Sequence, residues 1–208
     1  LPGNLTRIGT RAFAYNRLTS VSIPGNVAEI ESGAFERNNL TSVSLGEGLK
    51  LIGSFAFAEN RLAELILPAS LETLEYCAFY DNSVRSVRIP DSVQTVASRA
   101  FDSNLLESVD IGTGVVLIEE FAFARNNITS LIIPSNVREI ESGAFALNEI
   151  SRIAIGSNVV LHPSDMFAGV VVHAMGSYGN LFNTAYLASK EGGTFEYRDG
   201  EWIKTVGE

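Results

Sequence analysis

A 22-residue period runs through most of this chain of 208 residues and constrains its fold more than any other feature. Steps of 22 from Leu18 meet seven aliphatic residues in a row, ending at Ile150. Aliphatic residues also recur three, five, nine and twelve places after these. The heptad EIESGAF, at 29–35 and again at 139–145, is therefore two copies of one unit. Such a period predicts a solenoid, in which each unit buries its apolar side chains against its neighbours.

We call the 22 residues from Leu18 coil 1 and number the phases of each coil from zero, so that Val21 stands at phase 3. Coils 2 to 7 begin at Leu40, Leu62, Val84, Leu106, Ile128 and Ile150. No insertion interrupts the pattern before Ile155. We therefore expect coils of constant cross-section.

Each coil contains two extended segments and one compact turn. LTSVSI at 18–23 is a short β-rich stretch, followed at phase 6 by Pro or Gly. Proline ends a strand because it fixes φ and cannot donate to the sheet. VAEI at 27–30 can form a second strand. SGAFERN at 32–38 predicts one helical or 3₁₀ turn whose phenylalanine points inward.

Asparagine occupies phase 20 throughout and precedes coil 1 as well, at Asn16, Asn38, Asn60, Asn82, Asn104, Asn126 and Asn148. A carboxamide offers two donors and an acceptor, so it can satisfy the backbone of a tight turn. We interpret the series as structural. The alternative is that stacked carboxamides bind ions or glycans.

The unit LxxLxIPxxVxxIxxxAFxxNx resembles the leucine-rich repeats of the BspA-like, or treponemal, family over roughly 5–167. Many members of that family carry Cys where this chain carries Asn. The resemblance implies an α/β solenoid, a right-handed, β-rich leucine-rich repeat coil of about seven repeats. It also implies a bacterial protein of the cell envelope or a secreted protein, often an adhesin for host proteins. A fold specifies a shape and not a ligand.

Two alignments of the leucine-rich consensus with the coil are possible. In the first, LTSVSIPGN at 18–26 forms the main sheet. In the second, IESGAFERNNL at 30–40 forms it, and the repeated alanine then faces solvent. We favour the first, since solvent exposure gives no reason to keep alanine in every coil. Both segments could also form strands on opposite sides of the coil.

The pattern decays near the C-terminus, where His162 replaces an aliphatic residue and Met166 replaces alanine. We divide the chain into a partial N-terminal repeat (1–17), the repeat array (18–167) and a C-terminal cap (168–208). NLFNTAYLASKEGG at 180–193 predicts a short helix. Asp199-Gly200 between alternating runs predicts a β-hairpin. We expect Phe195, Tyr197, Trp202 and Ile203 to cover the open end of the core; the alternative is a ligand-binding aromatic cluster.

The composition disfavours several classes of partner. The net charge of −9 repels phosphate backbones and anionic lipid headgroups. No apolar run is long enough to span a bilayer. Cys77 is the only cysteine, so an internal disulfide is impossible. The first residues lack the features of a signal peptide, and we expect an upstream segment.

No motif for metal, nucleotide or nucleophilic chemistry is present, so we predict neither cofactor nor enzymatic activity. His162 and Asp165 could orient a catalytic pair, although a turn is the simpler interpretation. Cys77 shares phase 15 with Gly, Phe and Arg, so that phase tolerates any side chain. We interpret Glu29, Glu31, Glu139 and Glu141 as solvated edges.

The outward positions of the first extended segment, phases 2 and 4, predict a binding patch. Early coils place serines there, whereas later coils vary: Glu64, Ile66, Arg88, Asp110, Ile132 and Arg152. Chemical variety concentrated in one half of a face is typical of a recognition surface. We therefore predict that a protein or glycan partner contacts these residues.

A second candidate site follows from a correlation between phases. The coils with Gly at phase 6 are those with leucine at phase 11, namely Leu51, Leu117 and Leu161, and two of them place valine one residue earlier. One interpretation is that a flexible Gly corner rotates the next strand and buries the leucine. The other is a small apolar ligand pocket formed by Val116, Leu117, Val160 and Leu161 and interrupted by Glu139.

These patterns favour a binding scaffold over an enzyme. The first hypothesis is a secreted or envelope protein that recognises a host or envelope partner. The alternative is a structural spacer or assembly module without a discrete ligand.

Overall fold

The computed structural model describes residues 2–157, 159–162, 191–199 and 201–205. They wind into a β-solenoid of about seven turns. The described residues contain strands and turns but no helix, so the expected α/β class is corrected to all-β for this part of the chain. The helix predicted at 180–193 lies outside the described residues except at its last three positions, where Gly193 begins a strand.

Each coil contributes a shorter strand and, in most coils, a longer one. The shorter strands are β1 (Arg7–Ile8), β3 (Glu29–Ile30), β5 (Leu51–Ile52), β6 (Thr73–Leu74), β8 (Thr95–Val96), β10 (Leu117–Ile118), β12 (Glu139–Ile140) and β14 (Val160–Leu161). The longer strands are β2 (Ser20–Ser22), β4 (Ser42–Ser44), β7 (Ser86–Ile89), β9 (Ser108–Ile111), β11 (Ser130–Ile133) and β13 (Arg152–Ile155). The C-terminal strands are β15 (Gly193–Arg198) and β16 (Glu201–Thr205).

The shorter strands form one parallel sheet of eight strands, each paired with the equivalent residues of the next coil. Ile8 pairs with Ile30, and Ile30 with Ile52, in steps of one repeat. One residue of each strand points into the core, and the other faces outward. The predicted second extended segment is thus confirmed.

The longer strands form three separate groups: β2–β4, β7–β9 and β11–β13–β15–β16. Both extended segments of the repeat therefore form strands. The alignment that placed the repeated alanine in solvent is wrong, because Ala34, Ala78 and Ala122 are fully buried, as are their equivalents in the other coils.

Two ladders run along the core. The phenylalanines from Phe13 to Phe145 stack in succession, with ring centroids 5.2–5.6 Å apart and ring planes within 2–11° of parallel. Beside them, the Asn82 amide donates to the carbonyls of Phe57 at 2.9 Å and Phe79 at 3.3 Å, and its oxygen accepts from the Leu62 amide at 3.0 Å. Asn38, Asn60, Asn104, Asn126 and Asn148 repeat this arrangement. The asparagines hold one coil to the next, as predicted from their structural interpretation.

The compact segment is a pair of hydrogen-bonded turns, so the predicted helical or 3₁₀ turn is wrong. The amide of Ala34 donates to the carbonyl of Glu31, and that of Glu36 donates to Gly33. Phases 15 and 19 lie in the left-handed region of φ, at Gly33 and Arg37 in coil 1. Phase 15 therefore tolerates varied side chains, but it demands an unusual backbone.

In coil 7 the segment that leads from Val159 into the shorter strand is one residue shorter than its equivalent in coil 6. Ile140 pairs with Leu161 and Glu139 with Val160, which places His162 one position beyond the core. The expectation that His162 replaces a core aliphatic residue is therefore wrong, since Leu161 occupies that place and is only 6% exposed. A deletion between Val159 and Val160 accounts for the change of register.

The predicted hairpin is confirmed, and it extends the sheet of the last coils. β15 pairs antiparallel with β13, and β16 pairs with β15. Phe195 and Trp202 are buried, and Tyr197 packs against the core. Ile203 is 46% exposed, so the expectation that it covers the core is wrong. The difference follows from alternation, because Trp202 and Ile203 point to opposite faces of one strand.

Candidate binding surface

The outward side chains of the longer strands and of the equivalent residues in coil 3 form one face, which we call the outer face. All six residues predicted there are exposed: Glu64, Ile66, Arg88, Asp110, Ile132 and Arg152. Ile66 is 84% and Ile132 67% exposed, the two highest values among the exposed large hydrophobic residues described. The period-2 alternation of a strand places them outward, because their neighbours Leu65 and Leu131 fill the core.

The two arginines of the outer face each form ion pairs with carboxylates. An Arg88 guanidinium nitrogen lies 2.5 Å from a carboxylate oxygen of Asp110 and a second lies 3.3 Å from Asp91. The side-chain hydrogen bond to Asp110 raises the pKa of Arg88. Arg152 lies 3.7 Å from Glu196 on the hairpin. Arg88 and Arg152 therefore belong to separate ion pairs.

The sheet of longer strands is open at coil 3. Among the residues described, 63–67 form no strand and pair with neither β4 nor β7. A cleft of about 350 Å³ separates this segment from β4. A second, of about 290 Å³, lies between Leu65 and strands β7 and β9. We call residues 63–67 with these two clefts the coil 3 opening.

The sequence of coil 3 explains the opening. Coils 1 and 2 carry Thr-Ser-Val at phases 1–3, whereas coil 3 carries Ala63-Glu64-Leu65. Threonine and valine favour strands, and alanine and glutamate do not. Phase 2 is serine in five other coils, so Glu64 also breaks a row of small side chains. This signal was visible in the sequence, although Glu64 was predicted only as a contact residue.

The four residues of the predicted apolar pocket do not share one environment. Val116 and Val160 are exposed, by 37% and 55%, and Leu117 is half-buried. Leu161 is a core residue, so the predicted pocket loses one of its four members. Glu139 pairs with both Leu117 and Val160 and stands between them, as expected. Its carboxylate lies 2.6 Å from Nε2 of His162.

The structure explains the glycines at phase 6 in a way that is part of neither the rotated-strand nor the apolar-pocket interpretation. A Cβ on Gly46 would come within 2.6 Å of the backbone of Gly25, and one on Gly112 within 2.5 Å of the carbonyl oxygen of Ile89. These corners therefore pack on the backbone of the preceding coil more closely than a side chain allows. Close approach to the preceding coil therefore accounts for glycine at these two corners.

A polar groove of about 720 Å³ lies on the side of the shorter strands, across coils 3 to 5. Its lining includes Glu75 and Glu119. Glu75 accepts hydrogen bonds from the amide and hydroxyl of Ser54, both at 2.9 Å, and Glu119 accepts from the amide of Ser98 at 2.8 Å. These carboxylates cap turns of the preceding coil, so they are part of the scaffold.

The same phase holds Glu31 and Glu141, which we interpreted as solvated edges. Glu31 accepts hydrogen bonds from the amide and hydroxyl of Thr10, at 2.7 and 2.9 Å, and these bonds lower the pKa of Glu31. Glu141 accepts from the amide of Glu120 at 3.1 Å. These two carboxylates are therefore partly exposed, as that interpretation expects, and they also bond to the turn of the preceding coil.

A buried carboxylate that was not singled out from the sequence lies in coil 4. Asp102 is fully buried and contacts two guanidinium groups, those of Arg99 at 2.9 Å and of Arg125. Burial raises the pKa of Asp102, against the opposing effect of Arg125. Phase 18 is alanine in coils 2, 5, 6 and 7, so an aspartate there with arginines in its own coil and the next was the available signal.

Two of the residues considered for chemistry, Cys77 and His162, lie in the described part of the chain. Cys77 is buried, and this burial raises the pKa of its thiol, which disfavours the nucleophilic thiolate. Asp165, the proposed partner of His162, lies outside the described residues. In the described part of the chain, no group of three His, Cys, Asp or Glu side chains could hold a metal ion. No helix there is long and apolar enough to cross a membrane.

Comparison with known proteins agrees with this architecture. The family model of the BspA type leucine-rich repeat region matches six copies, over residues 1–85 and 50–172. A leucine-rich cell surface protein from Faecalibacterium prausnitzii is 29% identical, with a TM-score of 0.58 over 73% of this chain and 45% of its own. A leucine-rich repeat protein from Bacteroides ovatus is 21% identical, with a TM-score of 0.53 over 80% of this chain and 57% of its own.

The chain thus spans about half the length of these solved structures. The comparison with curated proteins gives no match. The likeness to the Bacteroides protein concerns the fold alone.

Proposed function

Because this chain belongs to the BspA-type leucine-rich repeat family, we propose that it is a non-enzymatic binding scaffold that recognises a protein partner through its outer face. Leucine-rich repeat proteins commonly bind proteins, and their repeats are typically non-enzymatic. The scaffold supplies a rigid array, since the phenylalanine and asparagine ladders link coils 1 to 6 in succession. Residues at the outward phases can therefore differ between coils without loss of the core contacts.

The observation that carries the proposal is the exposure of Ile66 and Ile132 on the outer face. The core does not require these side chains, because serine occupies the same phase in coils 1 and 2. Burying one such aliphatic side chain in an interface contributes about 1.5–3 kcal/mol. Apolar residues amid serines and charges suit the contacts of a protein interface better than those of a glycan.

We place this function at the bacterial cell surface or outside the cell, in an adhesin-like role toward a host or envelope partner. Support comes from the Faecalibacterium structure, which is described as a leucine-rich cell surface protein. The charge of −9 also favours partners with basic surfaces over nucleic acid or anionic lipid. Arg88 and Arg152 then act through their ion pairs, which orient Asp110 and Glu196 toward the partner.

The test is capture of host extracellular-matrix proteins by the purified chain, compared with a control solenoid of equal charge. Ile66→Ser and Ile132→Ser should each weaken capture about tenfold, the loss of roughly 1.4 kcal/mol. Leu147→Ser is the matched control, since Leu147 is exposed on a turn away from the outer face. Capture by this chain equal to that of the control solenoid would favour the spacer hypothesis instead.

A further inference from the structure

We propose that the polar groove on the side of the shorter strands is a binding site for an uncharged oligosaccharide. The groove has a volume of about 720 Å³, and its lining residues come from coils 3, 4 and 5. It lies over β6 and β8, which belong to the sheet of shorter strands, and not on the outer face. The site is therefore separate from the protein-binding surface of the proposed function and does not depend on it.

The groove exists because coil 4 carries small side chains on both sides of its core aliphatic residue. Thr95 stands at phase 11 and Ala97 at phase 13, whereas coil 5 places the larger Leu117 and Glu119 there. Glu75 and Glu119 line the groove from the coils on either side of Ala97. These two glutamates are two coils apart, which is about 10 Å at the spacing of parallel strands. Two linked sugar rings span this distance.

An amide without a partner adjoins the groove at Ala97. In coils 1, 3, 5 and 6, the phase 13 glutamate accepts a hydrogen bond from the phase 14 amide of the preceding coil, as Glu119 does from Ser98 at 2.8 Å. By this geometry the amide of Tyr76 faces Ala97, which offers no acceptor. Within the part of the chain that the structure describes, no group accepts a hydrogen bond from the Tyr76 amide. A ligand oxygen above Ala97 supplies the acceptor.

A comparison with coil 2 shows that a missing glutamate does not by itself create such a site. Gly53 stands at phase 13 there, so the amide of Ser32 also lacks a carboxylate. A Cβ on Gly53 would come within 2.7 Å of that amide nitrogen, so the backbone of coil 2 fills the space that a ligand atom needs. At Ala97, by contrast, the groove leaves this space open.

The polar groups of the lining match hydroxyl groups of a ligand. In Glu75 and Glu119, one carboxylate oxygen caps a turn, and in the described part of the chain the other accepts no hydrogen bond. The side chains of Thr73, Gln94 and Thr95 also lack hydrogen-bond partners among the described residues. The free carboxylate oxygens require donors, whereas the free amide requires an acceptor. Sugar hydroxyls both donate and accept, an ammonium group only donates, and an anion is repelled by the glutamates.

The groove suits a protein partner less well. β6, β8 and β10 already pair in an unbroken parallel sheet, so the groove offers no strand edge to a peptide. Leu74 points into the core and is only 2% exposed, and the other apolar lining residue is the small Ala97. The anchors of protein interfaces fill desolvated pockets, and the groove has no apolar pocket of this kind.

The experiment follows the backbone amides by NMR while four neutral tetrasaccharides are added separately, made of β-1,4-linked glucose, α-1,4-linked glucose, β-1,4-linked mannose and β-1,4-linked N-acetylglucosamine. Each is titrated to about 10 mM, so that millimolar affinities are measured. We expect saturable binding of at least one, with shifts at the amide of Tyr76 and at residues 94–97. Tetragalacturonate should not bind, because its carboxylates meet Glu75 and Glu119.

Variants at Ala97 test whether the ligand uses the space and the amide. Ala97→Glu and Ala97→Gln both fill the groove and give the Tyr76 amide an acceptor, so both should weaken saccharide binding about tenfold. Their melting temperatures should not fall, since four other coils carry glutamate at this phase. Ser130→Glu is the matched control, because it adds the same charge on the outer face of coil 6 and should leave saccharide binding unchanged.

The proposal is overturned if none of the four saccharides binds, or if the shifts map to the outer face. Undiminished binding by Ala97→Gln would overturn it as well, and so would displacement of the saccharide by tetralysine, which would identify a cation site. None of these results bears on the proposed function. Ala97→Gln should capture protein partners as well as the unaltered chain does, because Ile66 and Ile132 lie on the outer face.

Discussion

The side of the shorter strands and the side of the longer strands differ in how strictly the coils repeat. On the first, eight strands form one unbroken parallel sheet. On the second, pairing is lost on both sides of coil 3 and between β9 and β11. The two sides belong to the same coils and share one core. The difference therefore arises from what each side requires of its residues.

A shorter strand needs only two residues, one of which is a core aliphatic at phase 12. Almost any outward residue satisfies this requirement, and phase 11 indeed holds Glu, Thr or Leu. A longer strand extends over three or four residues and needs a compatible residue at each outward position. Coil 3 places Glu64 where five other coils have serine, and its pairing is lost. Regularity on one side thus coexists with local variation on the other.

The largest effect expected is on the shared core. Phe101→Ala removes one ring from the phenylalanine stack and should cost about 3–5 kcal/mol of unfolding free energy, because neighbouring coils cannot collapse into the cavity. The matched change on the outer face, Ile132→Ala, should alter stability by no more than about 0.5 kcal/mol. Urea denaturation followed by circular dichroism measures both. Similar midpoints for the two variants would break the distinction between core and outer face.

The second largest effect is expected at the buried carboxylate of Asp102, which occurs in coil 4 alone. Replacing both Arg99→Ala and Arg125→Ala leaves the carboxylate of Asp102 buried without a cation, at an expected cost of about 3 kcal/mol near neutral pH. Asp102→Ala should cost less than about 1 kcal/mol. The arginines remain partly exposed after that change, and Ala58 and Ala124 already occupy this phase.

The pH dependence of the double arginine variant gives a second measurement. Burial raises the pKa of Asp102, so the folded state binds its proton more tightly than the unfolded chain does. The contribution of this group to stability therefore falls as pH rises through the interval between the two pKa values and recovers on acidification. The double variant should lose less stability relative to wild type in mild acid than at neutral pH. A pH-independent deficit would show that the carboxylate is not the cause.

Substitutions in the asparagine ladder measure how much this repeated polar side chain contributes to the stability of the fold. Asn82→Leu leaves the carbonyls of Phe57 and Phe79 and the amide of Leu62 without their partner, at a cost of about 1–3 kcal/mol. Asn16→Leu, at an exposed position before coil 1, should cost less. Thermal unfolding of both variants separates the two. Equal melting temperatures would mean that the ladder does not hold the coils together.

The smallest effect expected is a gain in stability at a left-handed turn position. Leu147 has φ of 57° and is exposed, so Leu147→Gly removes backbone strain without loss of core contacts. The gain should be at most about 1 kcal/mol, because glycine also loses more conformational entropy on folding. Leu147→Ala should show no gain, since alanine keeps the Cβ. A lower melting temperature for the glycine variant than for the alanine variant would contradict this account.

Much of the fold follows from the sequence alone, because a solenoid repeats its contacts. The period assigned Ile30, Phe35 and Val27 to the core, and all three are buried. It also predicted the asparagine ladder and both strand segments. The hairpin at 193–205 was predicted from Asp199-Gly200 and alternation. In each case the local sequence pattern and the packing between neighbouring segments favour the same structure. The sequence was therefore sufficient to predict it.

Only the tertiary structure decided the features that depend on how neighbouring coils meet. The deletion in coil 7 moved Leu161 into the core, since pairing with Ile140 outweighs the strict count of residues. Asp102 became buried because arginines from its own coil and the next reach it. The 22-residue period assigns an inward or outward position to each residue by itself. The register of coil 7 and the burial of Asp102 depend instead on pairs of residues that only the packing of coils brings together.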